Sequence, residues 1–261
     1  MAVVFSLKMK DHGILIVSFG TTNKNAEEKS ILALEKYIRE RYHNSMILHA
    51  YTSTIIRKIM KKRGETILSI EEALDILKEN GIREVSILPT HLIYGEEYEK
   101  IQGMVDKYRL LFEDIRLGAP LLKDAEDIKT IANILHTEYP MEEDECLVLM
   151  GHGTEHFCNT VYAAMEYTCH EQGYKNMFVG TIEAYPELDV VIKKVKENNY
   201  KKATLIPFMF VAGDHAINDM AGEKETSWVN QLIKNGIETT TVLKGLGEYE
   251  RIKELYCKHI V

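Results

Sequence analysis

Apolar, β-rich runs alternate with stretches of helical periodicity along the whole chain. The strand-like runs are Ile14–Ser18, Met46–Ala50, Glu84–Pro89, Asp114–Gly118, Cys146–Met150, Met177–Thr181, Ala203–Pro207 and Glu238–Leu243. Between them, apolar positions recur with a helical period over Ala26–Arg41, Ile70–Glu79, Tyr98–Phe112, Ala125–Tyr139, Val161–Glu171 and Leu188–Glu197. A further helix opens at Thr52-Ser53-Thr54, and a last one covers 248–261. Several strands are unbroken apolar runs, not alternating ones, as expected where helices cover both faces of a parallel sheet. The regular alternation of strand and helix predicts the doubly wound α/β class.

The pattern is written twice. Ile16-Val17-Ser18-Phe19-Gly20-Thr21 lies over Leu149-Met150-Gly151-His152-Gly153-Thr154. The segment from Asn80 to Pro89 lies over that from Asn198 to Pro207, and the match runs on to Gly95 and Gly213. In this alignment His152 falls opposite Phe19, His215 opposite Glu97 and Glu183 opposite Thr52. The order and spacing predict two flavodoxin-like lobes, each a parallel sheet flanked by helices, related by internal duplication and facing each other across a cleft. The expected lobes are 1–125 and 126–261, with the seam in the acidic stretch from Leu122 to Glu143. The helix at 248–261 is free to pack back on the first lobe.

Composition narrows the function. The chain has 261 residues, 45% hydrophobic and 28% charged, which fits an ordinary globular protein with a sizeable core. A net charge of −8 without a basic stripe argues against nucleic-acid binding. No run approaches the ~20 apolar residues of a membrane helix. Cys146, Cys158, Cys169 and Cys257 form no C-x-x-C pair, so a reduced cytoplasmic protein is expected. The short apolar run within Met1–Leu7 is too brief for an export signal, and Met9 is an alternative start. Ser18-Phe19-Gly20-Thr21-Thr22 lacks the dinucleotide glycine fingerprint and the phosphate-loop lysine, so no nucleotide or organic cofactor is expected. The composition leaves a homo-oligomer open.

The candidate chemistry sits where strands end, since the carboxyl ends of parallel strands rim the ligand crevice. His152 lies between two glycines after the strand at 146–150. It reads as a ligand or as a turn histidine bonding a carbonyl. Glu183 follows the next strand, with Pro186 placed to suit a first helical turn. His215 follows Asp214, a candidate helix cap. Two imidazoles and a carboxylate on three strand ends of one lobe suit a divalent first-row metal with open positions. Glu97, opposite His215 in the repeat, stands apart from an otherwise ordinary acidic helix start. His91 and His156 are weaker ligand candidates, His91 reading as a packing or supporting residue. In the basic run Arg57-Lys58…Lys61-Lys62-Arg63 most side chains read as a solvated face, with Arg57 the one placed to bind a carboxylate.

These stretches resemble the class II tetrapyrrole chelatases, most closely the anaerobic sirohydrochlorin cobaltochelatases of the CbiK type. The resemblance rests on Thr52-Ser53 with Ile55-Ile56-Arg57-Lys58, Gly95-Glu96-Glu97-Tyr98-Glu99-Lys100-Ile101, Met150-Gly151-His152-Gly153, Glu183-Ala184-Tyr185-Pro186 and Val211-Ala212-Gly213-Asp214-His215-Ala216-Ile217-Asn218-Asp219-Met220. It implies ATP-independent insertion of Co²⁺, as substrate metal, into a sirohydrochlorin-type macrocycle in anaerobic cobalamin biosynthesis. It places metal ligands on His152, Glu183 and His215, and catalytic roles on His152, His215 and Glu97. Ser53, Arg57 and the backbone N–H groups of the loop Ser18-Phe19-Gly20-Thr21 are then expected to hold the peripheral carboxylates of the tetrapyrrole. Iron or nickel chelation is the rival within this class, and a non-catalytic haem or metal carrier the rival outside it.

Overall fold

The computed structural model describes residues 11–261. The apolar run near the start and Met9 lie outside the described residues. The first lobe runs β1 (His12–Ser18), α1 (Lys24–Glu27), α2 (Ala33–Arg39), β2 (Met46–Tyr51), α3 (Thr54–Lys62), α4 (Ile70–Glu79), β3 (Glu84–Pro89), α5 (Glu96–Tyr108) and β4 (Asp114–Leu117). The second runs α6 (Ala125–Glu138), β5 (Glu145–Gly151), α7 (Thr160–Glu171), β6 (Met177–Thr181), α8 (Leu188–Glu197), β7 (Lys202–Pro207), α9 (Trp228–Lys234), β8 (Glu238–Thr241) and α10 (Glu250–Lys258).

Each half forms a four-stranded sheet, in the orders β2-β1-β3-β4 and β6-β5-β7-β8, and every strand pair is parallel. This is one flavodoxin-like order used twice, with the crevice expected where the order turns, at β1/β3 and β5/β7. The two sheets repeat in register. Val17 pairs with Ala50 and Pro89, as Met150 pairs with Gly180 and Pro207.

That register corrects one sequence alignment. Ser53 N–H donates to the Phe19 carbonyl, and Glu183 N–H to that of His152. Since Phe19 and His152 are equivalent, Glu183 is the counterpart of Ser53, not of Thr52.

Alternation along the central strands divides the apolar residues between two faces. Leu15 and Val17 pack outward with α4 and α5 residues such as Leu74, Leu77 and Ile101. Val148 and Met150 pack outward with Val191, Val195 and Trp228. Ile14, Ile16, Leu147 and Leu149 point inward to a single shared cluster. Leu34 and Ile38 of α2, Ile131 and Leu135 of α6, Met165 of α7, and Ile252 and Tyr256 of α10 complete it. Tyr256 also donates its hydroxyl to the Thr90 carbonyl of the first lobe.

Several predicted helices differ in detail. The stretch expected as one helix from Ala26 to Arg41 carries a π-helical turn at Glu28–Leu32 between α1 and α2. The Ser30 hydroxyl bonds the Ala26 carbonyl there, competing with the helical ladder. α5 ends at Tyr108 and continues as a 3₁₀ turn over Arg109–Leu111. Pro186 lies ahead of α8, which starts at Leu188 with Glu187 as its N-cap residue, so it is not a first-turn proline.

Candidate metal centre

Loops from the carboxyl ends of the two sheets meet. A side-chain carbon at Gly213, after β7, would lie 3.5 Å from Thr21 Oγ1, after β1. Reciprocally, one at Gly95, after β3, would lie 3.3 Å from Cys158 Sγ, after β5. His156 Nε2 also reaches Glu99 Oε1 at 3.4 Å across the lobes. The strand ends of both halves thus surround one mouth.

His152 is held by tight constraints on its neighbours. A Cβ at Gly151 would sit 2.4 Å from the Tyr162 ring. Gly153 has φ +84°, and a Cβ there would lie 2.9 Å from the Ala184 nitrogen. Only glycine fits both conditions at 153. The close approach brings the β5 and β6 loops together, and Glu183 N–H donates to the His152 carbonyl at 2.9 Å. Asn159 ties the same two loops, accepting from Thr154 N–H at 3.0 Å and donating to the Tyr185 carbonyl at 2.6 Å.

His215 arrives from β7 through the turn that begins a π-helical segment, Ala216–Met220. Asp214 does not cap this helix as the sequence suggested. Its carboxylate instead accepts from the Asn218 side chain at 2.8 Å.

One ligand atom from each of His152, Glu183 and His215 lies within 4.8 Å of the other two. The imidazole centroids are 4.8 Å apart, edge to face. His152 Nδ1 lies 2.9 Å from the Gly153 carbonyl and 3.6 Å from Glu183 Oε2. A carbonyl only accepts, so Nδ1 carries the proton and Nε2 keeps its lone pair. All three side chains stay roughly half accessible, at 43%, 54% and 39%. Such a set can take up a divalent first-row ion and give it up again.

On the facing lobe, Glu97 Oε2 accepts from the Thr52 hydroxyl at 2.8 Å, and Lys100 donates to Oε1. Burial alone would raise this carboxyl. The hydrogen bonds from Lys100 and Thr52, with the Lys100 charge, hold it below its ordinary value instead. His91 has both ring nitrogens covered and, among the described residues, without a hydrogen-bond partner. Burial pushes it down to about 4, against the pull of the Glu97 charge. His156 Nδ1 accepts from the Cys158 amide at 3.2 Å, away from the trio.

In the loop after β1 two of the polar side chains turn inward. Ser18 and Thr21 are buried. Ser18 accepts from the Thr90 hydroxyl at 2.9 Å, and Thr21 from the Asn23 amide at 3.1 Å. Their side chains are spent inside the protein, which leaves Phe19 and Gly20 as the accessible part of this loop. Phe19 is 49% exposed. Gly20 has φ +101° and packs on the Tyr51 ring, which leaves no room for a side chain. Ser53 is the N-cap of α3, accepting from Ile56 N–H at 3.3 Å. Among the described residues Arg57 has only a long 3.9 Å ion pair with Glu72, and its buried Nε lacks a partner. Sequence reasoning gave no role to Asn159, Lys100 or Asp219. Of these only Asp219, four residues after His215 on one helical turn, had a readable signal.

Two doubly wound lobes of one strand order, with two imidazoles and a carboxylate gathered on strand-end loops, define a two-lobed metal-handling α/β protein. Two solved structures share this frame. The structure of SirB from Bacillus subtilis with Fe³⁺ matches with a TM-score of 0.66 at 14% identity, covering 95% of this chain and 94% of that one. CbiX, the terminal enzyme for siroheme biosynthesis in denitrifying bacteria, matches with a TM-score of 0.55 at 12% identity, covering 95% and 97%. The chain belongs to the cobalt chelatase (CbiK) family, whose profile matches residues 12–261. The sirohydrochlorin cobaltochelatase of Salmonella typhimurium is 36% identical over 249 residues, 95% of this chain and 94% of the relative. The sirohydrochlorin cobaltochelatase CbiKC of Nitratidesulfovibrio vulgaris is 29% identical over 258 residues, 97% and 91% of the two chains.

Proposed function

We propose that this protein inserts Co²⁺ into sirohydrochlorin without ATP, as a step of anaerobic cobalamin synthesis. The observation that carries this is the convergence of His152, Glu183 and His215 within 4.8 Å, in a chain of the cobalt chelatase family. The overall exchange is one M²⁺ in and two pyrrole protons out. The imidazole Nε2 lone pairs and the Glu183 carboxylate hold the incoming ion through a few exchangeable bonds, leaving positions for pyrrole nitrogens. The ion's charge lowers the barrier to losing the facing N–H protons. A histidine freed as the ion moves into the ring accepts one of them as a general base, and the second passes to water at the open mouth.

Glu97 acts from the other lobe. Thr52 and Lys100 keep it ionised, which suits stabilising the positive charge that builds on the ring during transfer. Arg57, with its unpartnered Nε, and the α3 N-terminus at Ser53 hold peripheral carboxylates. The exposed faces of Phe19 and Tyr185 supply apolar contact for the macrocycle. The four cysteines are free, two of them buried, which fits a reducing compartment, and we assign the protein to the cytoplasm. Among the described residues no helix is long and apolar enough to cross a membrane.

The test is an anaerobic absorbance assay with purified protein, sirohydrochlorin and Co²⁺, Fe²⁺ or Ni²⁺ in turn. Catalytic loss of the free-base spectrum, fastest with Co²⁺, is expected; stoichiometric ligand retention without turnover would establish a carrier instead. His152→Ala should abolish insertion while the fold persists, and near-normal turnover would reject the site. Glu97→Gln should slow the reaction about 10–100-fold with Co²⁺ binding intact; unchanged kinetics would remove Glu97 from the chemistry.

A further inference from the structure

His152 and His215 differ in what holds them. His152 Nδ1 hydrogen-bonds a neutral backbone carbonyl, that of Gly153, at 2.9 Å, with the Glu183 carboxylate beyond hydrogen-bond reach at 3.6 Å. His215 Nδ1 faces a carboxylate, Asp219 Oδ2, at 2.7 Å. Asp219 has no other hydrogen-bond or ion-pair partner among the described residues. It sits four residues on, inside the π-helical turn Ala216–Met220, which closes with Ala221 N–H on the Ala216 carbonyl at 3.2 Å. Asp214 and Asn218 form a second clamp at the same spacing, 2.8 Å long. Gly222 lets the chain leave this turn, since a Cβ there would lie 2.2 Å from the Asn218 carbonyl oxygen. The turn is thus built to hold the His215–Asp219 pair in place.

We infer that Asp219 is a positioning residue. It accepts the Nδ1 proton of His215, so that Nε2 is the atom presented to the ion. This rests on the metal-site reading given above. A neutral imidazole carries its proton on either nitrogen, and a ring free to exchange or flip offers the wrong atom part of the time. A carboxylate on Nδ1 removes that freedom and makes Nε2 a stronger donor. His215 is thereby the tighter imidazole of the pair and His152, on its neutral carbonyl, the looser. The first lobe obeys the same rule with the signs exchanged. At the position equivalent to His215 stands the anionic Glu97, and its orienting partner one turn on is the cationic Lys100.

The experiment uses the full-length protein and Co²⁺ alone as probe, followed anaerobically by the ligand-field absorption of the bound ion. ¹⁵N-histidine NMR of the metal-free protein reads the tautomer. Asp219→Ala should weaken Co²⁺ binding about 10–100-fold and mix the two tautomers of His215. It should raise KM for Co²⁺ and leave KM for sirohydrochlorin unchanged. Asp219→Asn, whose side-chain oxygen still accepts from Nδ1, should keep the single tautomer and recover affinity to within about tenfold of wild type. An Asp219→Ala protein that keeps the wild-type tautomer, or binds Co²⁺ within twofold of wild type, overturns the inference. So does Asp219→Asn with no recovery over alanine. His215→Ala separates the two readings: if it binds Co²⁺ as wild type does, the metal site itself is wrong; if binding is lost while Asp219→Ala is silent, only the role of Asp219 falls.

Discussion

His91 shows how much one side chain depends on what surrounds it. The residue is half-buried, yet both ring nitrogens are covered and unpartnered, and burial lowers it to about 4. In the unfolded chain an imidazole titrates near 6.5. Between those values the unfolded state binds the extra proton, so this contribution is complete above about pH 6.5 and is lost as the pH falls toward 4. The full shift is worth about 3 kcal/mol. His91→Leu should therefore lose less stability than wild type between pH 7 and pH 5 in urea unfolding. Parallel pH dependence in the two proteins would show that His91 is not held neutral. Position along a strand was legible for the proposed metal ligands: His152, Glu183 and His215 follow β-rich runs, and they do meet. Direction was not legible for Ser18 and Thr21. The Thr90 hydroxyl, far along the chain, and the Asn23 amide, two residues on, decide where those side chains go, and the apolar rhythm marks neither contact.

At the level of elements, the eight strands were readable because each is an apolar run flanked by turn residues. Their ends shift by only a few residues in the structure. The helices were less legible where a side chain rewrites the ladder, as Ser30 does in the first of them. The short helix at Trp228–Lys234 was missed, because seven residues hold too few turns to show a period. The displacement of Glu183 onto Ser53 has the same kind of origin. Loop residues carry no apolar rhythm, and only the paired amide bonds after β2 and β6 settle their register. The Gly151-His152-Gly153 turn yields a prediction at this scale. Gly153→Ala places a Cβ against Thr181 and the Ala184 amide at positive φ, at a cost of about 1–3 kcal/mol. The loops must separate, so Co²⁺ affinity should fall together with the thermal midpoint. A variant with normal Co²⁺ titration would mean that the β5 and β6 loops move independently.

The whole molecule is joined by more than its mouth. The inner faces of both sheets share one apolar cluster, and α10 crosses over to fill the first lobe's part of it. At the far end of that helix His259 Nε2 lies 2.8 Å from Asp127 Oδ2, which also accepts from Lys123 at 2.6 Å. His259 and Asp127 are buried. Asp127→Ala leaves the buried imidazole without its acceptor and the Lys123 ammonium with only Asp124, 3.5 Å away, and should cost about 3 kcal/mol. Hydrogen exchange should quicken first in α10, ahead of β5 and β7. Uniform protection in the variant would show that the triad does not anchor the helix. The duplication was legible in the repeated glycines and prolines; the shared core was not, since it depends on which inner helices each sheet receives.

The crossing of α10 also bears on how the protein is made. A ribosome releases the strands of the first sheet well before Ile252, Leu255 and Tyr256 exist to cover them, so Ile14, Ile16 and Leu88 emerge without their final neighbours. Domains of a nascent chain ordinarily settle in order of appearance. Here the earlier half has to wait for the later one, and truncated translation products would expose a greasy surface for chaperones or proteases to find.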